Sequence, residues 1–416
     1  MISFWAFGLL LPAIALPISF YGIKHNFKNW RIYIFIIAVF LSMVAYSYTP
    51  VKNEPDIIRY FEWAEQLADM SFREALFSSV NGQTEIFVMN LLLWLGGKSG
   101  DVHLIPAVSV FFVYFICFYI TCYMAEKESI SPKNVLSYII FALLTMNYYA
   151  ITNNVRNVLA FCLIGLAIFR DLYQGKHDWK TFLLYLMPIT LHQSSIVMIL
   201  LRLVLLLPGN YKVVSILVAS LIMPITDILY KVTASWASSG NLILSIVRNM
   251  LYKAYWFYRN HNSEWAIAVA NSGSHRLAKA VYITMAVILC LAIYIYQKRL
   301  CKQDQEYLNS SRKKYTEFVF YIGVLTIACA PMPMPEYWRF ASAFLALGGG
   351  VFVSIYAKHG TFPYRLSKIV YILTPICLAL WVIEFIKCDW GELVFGALCM
   401  NPVLVAIKDI IRLLFL

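Results

Sequence analysis

Apolar stretches of about 18 or more residues recur along this chain, and each is long enough to cross the ~30 Å hydrocarbon layer of a bilayer. Of the 416 residues, 61% are hydrophobic and 13% are charged, whereas a soluble domain carries roughly 25% charged residues. The longest less apolar stretches, 49–83 and 231–275, leave no room for a separate soluble domain. The sequence therefore predicts one all-α integral membrane domain over residues 1–416.

We expect a polytopic transmembrane helical bundle of about 12–14 spans, because a helix satisfies its own backbone hydrogen bonds inside the bilayer. Two segments leave the number of spans undetermined. Residues 84–97 are apolar but short, which indicates a partly inserted or re-entrant helix. The segment around His192 forms either a tight hairpin or one long tilted helix. The predicted spans cover residues 2–22, 30–48, 103–124, 134–150, 154–172, 179–192, 194–208, 211–230, 276–297, 317–331, 340–357, 369–387 and 391–408.

Basic residues collect in alternate loops, as at Lys24, Arg170 and Arg312. The positive-inside rule makes those loops cytoplasmic, and we expect them to be solvated tethers. The opposite side receives two outer loops with amphipathic helices. One covers 49–100 and includes the re-entrant helix, and the other covers 231–275.

Composition also argues against two classes of function. The net charge of +12 is spread over short loops between spans, which argues against nucleic-acid binding. The nine cysteines show neither a CxxC pair nor a Cys/His spacing, so no metal site or disulfide framework is predicted.

The first outer loop carries a helix start at Pro55, followed by Asp56, Arg59, Tyr60 and Trp63. The last four residues share one helical face. One interpretation is an amphipathic helix on the membrane surface. The other is a site in which a carboxylate and a guanidinium lie beside an aromatic ring that stacks on a sugar.

Arg156 lies about one turn inside an apolar helix and close to Asn153. Burying an arginine costs roughly 2.5–3.5 kcal/mol at the bilayer centre on insertion scales, and less towards the ends. The side chain either snorkels to the headgroups or binds a ligand phosphate, whose oxygens a guanidinium matches bidentately.

His192, Glu336 and Arg339 are the other polar candidates at predicted outer span ends. His192 suits a proton acceptor or a neutral donor, since an unperturbed histidine has a pKa near 6.5, or it bonds a neighbouring helix. Glu336 and Arg339 are one turn apart and form either a structural ion pair or a site pair.

The second outer loop repeats cationic and aromatic residues at helical spacing, namely Arg248, Tyr252, Tyr255 and Arg259. Such a helix binds anionic lipid headgroups or covers a lipid diphosphate as a lid. The sequence leaves both interpretations open.

Several short motifs in a fixed order resemble the EpsG-like group of Wzy-type polysaccharide polymerases. The resemblance covers most of the chain from about 40 to 360, while the C-terminal spans match only in hydropathy. The motifs are Asp56-x-x-Arg59-Tyr60, Asn153-x-x-Arg156, Leu191-His192-x-Ser194 and Tyr337-x-Arg339-Phe340.

The resemblance implies a multi-pass enzyme of the bacterial inner membrane that acts at the periplasmic face on undecaprenyl-diphosphate-linked oligosaccharides, without a metal or other cofactor. Membrane lipids are further expected partners, and the sequence leaves open a chain-length regulator. Expected to bind the diphosphate are Arg156, Arg339, Arg59, Arg248 and Arg259. The candidate bases are Asp56, Glu336 and His192, and the candidate sugar contacts are Tyr60, Trp63, Asn153, Tyr252 and Tyr255.

Three other functions fit parts of this pattern. A glycan ligase would use the same carrier and differ only in its product. A lipid-linked glycan flippase would show two related halves and polar residues near the midplane, and the sequence shows no internal repeat. A membrane O-acyltransferase would also use a histidine, but with its acyl donor on the inner side.

Overall fold

The computed structural model describes residues 11–50, 55–80, 86–209, 226–238, 271–303, 310–330, 336–359 and 364–386, with isolated positions between them. These residues form helices joined by short turns, and no strand occurs among them, which confirms the all-α prediction. The first eight helices are α1 (Pro12–His25), α2 (Trp30–Tyr46), α3 (Pro55–Ala68), α4 (Phe72–Leu76), α5 (Phe87–Ser99), α6 (Leu104–Lys127), α7 (Pro132–Thr145) and α8 (Tyr148–Asn153). The next eight are α9 (Val155–Leu172), α10 (Trp179–Leu191), α11 (Ile196–Val204), α12 (Thr226–Val232), α13 (Gly273–Gln303), α14 (Ser311–Ala328), α15 (Glu336–His359) and α16 (Tyr364–Ile386).

Four of the described helical segments are long and apolar enough to cross a membrane: Phe27–Tyr46, Leu104–Lys127, Gly273–Lys302 and Tyr337–Ala357. Shorter apolar helices accompany them, so the chain is a polytopic membrane protein. The predicted spans over 2–22, 211–230 and 391–408 lie partly or wholly outside the described residues.

One predicted span boundary is wrong. The prediction over 134–150 continues through a point where the chain breaks, since α7 ends at Thr145 and the separate helix α8 follows. The side chain of Asn147 accepts a hydrogen bond from the backbone N–H of Ala150 and caps α8. Such capping competes with continuing the preceding helix.

The segment around His192 is a hairpin rather than one long helix. His192 is extended, and a 3-10 turn over Gln193–Ser195 reverses the chain between α10 and α11. Both arms return to the C-terminal end of α9. On the first arm, the Asp178 carboxylate is 2.7 Å from the Arg170 guanidinium, and on the second, Arg202 Nε donates to Asp171 at 2.8 Å.

Helices α6 and α15 form the centre of the bundle, with α2, α9 and α14 around them. Gly349 and Gly350 let them approach closely, because a Cβ at either position would overlap Thr121 or Met124 of α6. Small residues at a crossing commonly allow such packing in membranes. The rigid centre fixes where the first turns of α9 and α15 lie.

The end of the bundle where α9 terminates, here called the inner end, is closed by paired charges. The Arg312 guanidinium is 2.9 Å from the Glu128 carboxylate, whose side chain is 7% exposed. Ser354 of α15 donates to the same carboxylate at 2.9 Å. The expectation of solvated inner tethers is therefore wrong at Glu128, whose side chain is buried because Arg312, Ser354 and Tyr173 compensate its desolvation.

Helix α3 lies across the opposite, outer end of the bundle and packs against α5. Trp94 of α5 donates to the carbonyl of Met70 at 3.0 Å. At Gly97 the two helices touch so closely that an added Cβ would lie 1.9 Å from the carbonyl oxygen of Ala64. Only glycine fits here without displacing backbone, so Gly97 sets the position of α3.

We predict that Gly97→Ala displaces α3 and destabilises the protein by about 1–3 kcal/mol, as overpacking commonly does. The thermal unfolding midpoint in detergent measures this change. Gly209→Ala is the matched control, since nothing lies within 4 Å of a Cβ at Gly209. Equal midpoints for the two variants would contradict the tight contact.

A candidate active site at the outer end of the bundle

Tyr60 is the centre of the site. It is 2% exposed, because α3 turns it towards the bundle together with Ile57 and Ala64. The Arg156 guanidinium lies 5.9 Å from the centre of the Tyr60 ring, a cation–π distance. Tyr60 also packs against Trp63, with ring centres 5.6 Å apart.

Three segments distant in sequence bring their charges to the Tyr60 hydroxyl. Burial raises the pKa of Tyr60; the charges of Arg156, Arg339 and Arg59 oppose this rise, and that of Asp56 adds to it. Tyr60 is therefore a neutral phenol at physiological pH and can donate a hydrogen bond. The structure thus gathers four of the predicted charged residues around one predicted aromatic residue.

Arg156 is held in the first turn of α9 by the backbone around it. Ser109 of α6 donates to the carbonyl of Val155 at 2.9 Å. The Nε atom of Arg156 is buried and has no hydrogen-bond partner among the described residues, and no described carboxylate forms an ion pair with it. A buried cationic donor left unpaired is costly, so this position fits an anionic ligand.

Asn153 positions the approach to Arg156. Its side-chain oxygen accepts from the Tyr48 hydroxyl at 3.1 Å, and its side-chain nitrogen donates to the carbonyl of Tyr149 at 3.0 Å. Both groups of the amide therefore have protein partners. The predicted sugar contact of Asn153 stays a prediction.

Arg339 occupies the first turn of α15. Its guanidinium lies 6.0 Å from the centre of the Trp338 ring. The next residue, Phe340, stacks on Phe161 of α9 at 5.3 Å. This stacking holds the N-terminal parts of the two helices side by side.

His192 packs against α9 further along the helix than Arg156. Its ring centre is 6.5 Å from that of Phe161, which is more than one turn along α9 from Arg156. The hairpin therefore brings His192 to the same side of α9 as the stacked pair of Phe161 and Phe340. It is a neighbour of the cluster rather than part of its charged centre.

Asp56 and Arg59 are joined to each other by an ion pair on the rim of the site. Their side chains are 28% and 54% exposed, so this pair is accessible from the outer side. The structure describes the backbone of Glu336, at the start of α15, but not its side chain. The predicted pairing of Glu336 with Arg339 therefore stays a prediction.

Arg248 and Tyr252 form a different cluster around Tyr230. The Arg248 guanidinium lies 3.7 Å from the centre of the Tyr230 ring and donates to the Tyr230 carbonyl, and Tyr252 packs on the same ring. None of these contacts is with the helices that hold Arg156 and Arg339. Arg259 and Tyr255 lie outside the described residues.

Sequence reasoning missed Tyr48 and Trp338. Tyr48 anchors Asn153, and Trp338 lies beneath Arg339. Aromatic residues at span ends are common in membrane proteins generally, so neither residue stood out. Among the described residues no group of three metal-ligating side chains occurs, and metal independence stays a prediction.

The fold and the site together define a class: a polytopic helical membrane protein with guanidinium groups gathered at one end of its bundle. The chain belongs to the EpsG family, whose sequence model matches residues 58–391. This membership confirms the resemblance and places the chain among membrane proteins of polysaccharide biosynthesis. Neither the curated proteins nor the solved structures gave a match to the chain.

We predict that Arg156→Met leaves the unfolding free energy within about 1 kcal/mol of wild type, because no described ion pair is lost. Arg312→Met should cost about 3–5 kcal/mol, since it leaves the buried Glu128 carboxylate without its cation. Chemical denaturation in detergent compares the two variants. A larger loss for Arg156→Met would show that this guanidinium serves the fold rather than a ligand.

Proposed function

We propose that this protein is a polymerase that joins undecaprenyl-diphosphate-linked oligosaccharide repeat units into a surface polysaccharide such as capsule, O-antigen or exopolysaccharide. It works at the outer face of the bacterial inner membrane, and its glycosyl transfer is metal-independent. The observation that carries the proposal is the convergence of Arg156 and Arg339 on Tyr60. Membership of the EpsG family supports it.

The reaction replaces one glycosidic bond by another. A hydroxyl of the acceptor sugar attacks the anomeric carbon of the donor, and the bond from that carbon to the diphosphate oxygen breaks. The bonding electrons leave with the diphosphate, whose negative charge grows in the transition state. Arg156 and Arg339 stabilise this charge, and a positioned cation in a site with little water contributes several kcal/mol.

Tyr60 orients this pair of arginines. As a neutral phenol it can donate to a diphosphate oxygen, and its ring holds the Arg156 guanidinium from one side. A sugar-stacking role for Tyr60 is less well supported, because its ring is nearly inaccessible. The better exposed Trp63 next to it suits that role.

A base must take the proton from the attacking hydroxyl. Asp56 is best supported among the three candidates, since its carboxylate lies on the accessible rim and its charge acts on Tyr60. The ion pair with Arg59 orients that carboxylate. Glu336 and His192 remain candidates for the same role.

The position of the charges favours an enzyme over a carrier. A flippase or other transporter needs polar residues near the middle of the bilayer. Here Arg156 and Arg339 lie in the first turns of α9 and α15, next to the rim helix α3. A ligase would use the same site and would differ only in the acceptor that receives the glycan.

We predict that Arg156→Ala and Arg339→Ala each abolish polymer formation, because the leaving diphosphate loses a compensating cation. Purified protein incubated with a lipid-linked repeat unit should give a ladder of longer products on a gel. Arg31→Gln is the control, since Arg31 pairs with Glu126 at the inner end. Long polymer from both site variants would contradict the assignment, and transfer to an unrelated acceptor alone would indicate a ligase.

We predict that Asp56→Asn lowers kcat by about 10²–10⁴ while leaving KM nearly unchanged, the loss typical of a removed general base. Near-normal turnover in Asp56→Asn would assign the proton transfer to Glu336 or His192. Parallel Glu336→Gln and His192→Gln variants decide between them.

A further inference from the structure

The hairpin of α10 and α11 ends inside the membrane rather than at its outer face. The arms have 13 and 9 residues, so at 1.5 Å per residue they are about 20 Å and about 14 Å long. Both are shorter than the ~30 Å hydrocarbon layer, and both are fastened at the inner end, to Arg170 and Asp171. At the tip, His192 lies beside Phe161, which is about 9 Å along α9 from Val155.

The backbone at this tip is not helical in the α sense, and its side chains are polar. His192 is extended, and the 3-10 turn that follows contains Gln193, Ser194 and Ser195. The first three of these four residues are half-buried. Irregular backbone at membrane depth is stable only where protein covers it or where it borders a water-filled cavity. The half-buried polar side chains therefore border water, which we expect to enter from the outer end of α9 because that end is the nearer one.

Two buried polar atoms near the tip lack a protein partner. The Oγ atom of Ser195 and the Oδ1 atom of Asn157 have no hydrogen-bond partner among the described residues, and their residues are 0% and 3% exposed. The turn packs on α9, and Asn157 is one turn from Phe161 on the same face of that helix. An unpaired buried polar group costs about 1–3 kcal/mol. Both elements that meet beside Phe161 thus have hydrogen-bonding groups available for a ligand.

The chemistry of this region differs from that of the arginine cluster. No Asp, Glu, Lys or Arg occurs from 157 to 169 or from 181 to 201. The available groups are the amides of Asn157 and Gln193 and the hydroxyls of Ser194 and Ser195, each a neutral donor and acceptor. Such groups match the hydroxyl groups of a sugar, whereas a phosphate would lack a cation here.

Arg156 determines which sugar would reach this region. Arg156 and Asn157 are consecutive in α9, so a diphosphate bound at Arg156 leaves the sugar bonded to it beside Asn157. The lipid chain on the other side of the diphosphate is apolar, and the later sugars extend away from the first. The first sugar is therefore the part of the donor that fits neutral hydrogen-bonding groups at this position.

We propose that Asn157, Gln193, Ser194 and Ser195 form a recess, here called the tip recess, that binds the first sugar of the donor, the one bonded to the diphosphate. This inference rests on the proposed function, which supplies the lipid-linked donor. A site that hydrogen-bonds the hydroxyl groups of a substrate strongly rejects a ligand without them. The tip recess thus makes the protein selective for the first sugar of its repeat unit.

The first test asks whether water reaches the tip. In nanodiscs, an anionic methanethiosulfonate should modify Ser194→Cys at least about tenfold faster than Leu186→Cys, because only a hydrated thiol ionises readily to the reactive thiolate. Leu186 is the matched control, since it lies on the same hairpin and is 45% exposed on an apolar arm. Gln193→Cys is a second reporter, and the unsubstituted protein gives the background from native cysteines. Equal rates at the tip and at Leu186 would overturn the recess.

The second test asks what fills the tip recess. At about ten times its Kd, the lipid-linked repeat unit occupies about nine-tenths of its sites and should slow the modification of Ser194→Cys about tenfold. Undecaprenyl diphosphate without a sugar, at the same occupancy, should leave the rate within about twofold. Equal protection by both lipids would show that the recess holds the diphosphate or the lipid chain. Protection by neither would show that no part of the donor enters it, and both outcomes refute the proposal.

Binding measurements then separate this inference from the proposed function. Asn157→Leu keeps the shape of the side chain but removes its hydrogen bonds, so it should weaken binding of the repeat unit about tenfold, the loss expected for about one hydrogen bond. Binding of undecaprenyl diphosphate should stay within about twofold, whereas Arg156→Ala should weaken binding of both lipids. A merely structural role of Asn157 would weaken both lipids equally in Asn157→Leu.

The two proposals fail in different ways. Selective weakening in Asn157→Leu without any polymerisation by the unsubstituted protein would refute the polymerase and leave the tip recess standing. Polymerisation together with equal weakening of both lipids would refute the tip recess alone.

Discussion

The site depends on one energetic cost: the Nε atom of Arg156 is buried at a helix end, and the described residues give it no hydrogen-bond partner. Side chains from other helices lie around Arg156. The Tyr60 ring lies against it, and the charge of Arg339 acts on the same phenol. The free-energy cost of removing such a charge from water is offset only by another charge or by strong hydrogen bonds. The first turn of α9 therefore holds a cationic group for which the described residues supply no anion.

The described charges are paired in different ways at the two ends of the bundle. At the inner end, Arg312 meets Glu128 and Arg202 meets Asp171, so each buried or half-buried charge is compensated within the protein. At the outer end, the described ion pair of Asp56 and Arg59 lies on the exposed rim. The described ion pairs of the inner end therefore fasten helices together, whereas the described ion pair of the outer end lies within the single helix α3.

Much of this arrangement could be predicted from the sequence. The apolar periodicity indicated a helical membrane bundle, and Pro55 marked the start of α3 as observed. The charged motifs pointed to Asp56, Arg156 and Arg339, which the fold brings together around Tyr60. Three features were not predictable. The break between α7 and α8 depends on a single cap at Asn147, the burial of Glu128 depends on partners distant in sequence, and the roles of Tyr48 and Trp338 arise from tertiary contacts of residues that look like ordinary interfacial aromatics.

One carboxylate, that of Asp171, holds both arms of the hairpin formed by α10 and α11. Asp171 accepts hydrogen bonds from Tyr185 on one arm and from Arg202 on the other. The outward faces of both arms carry apolar side chains exposed to lipid. The tip of the hairpin, with His192, lies beside Phe161, about 15 Å further along α9 at 1.5 Å per residue. Asp171 thus joins both arms of the hairpin to α9, and this anchoring at the inner end fixes how far along α9 the imidazole of His192 lies.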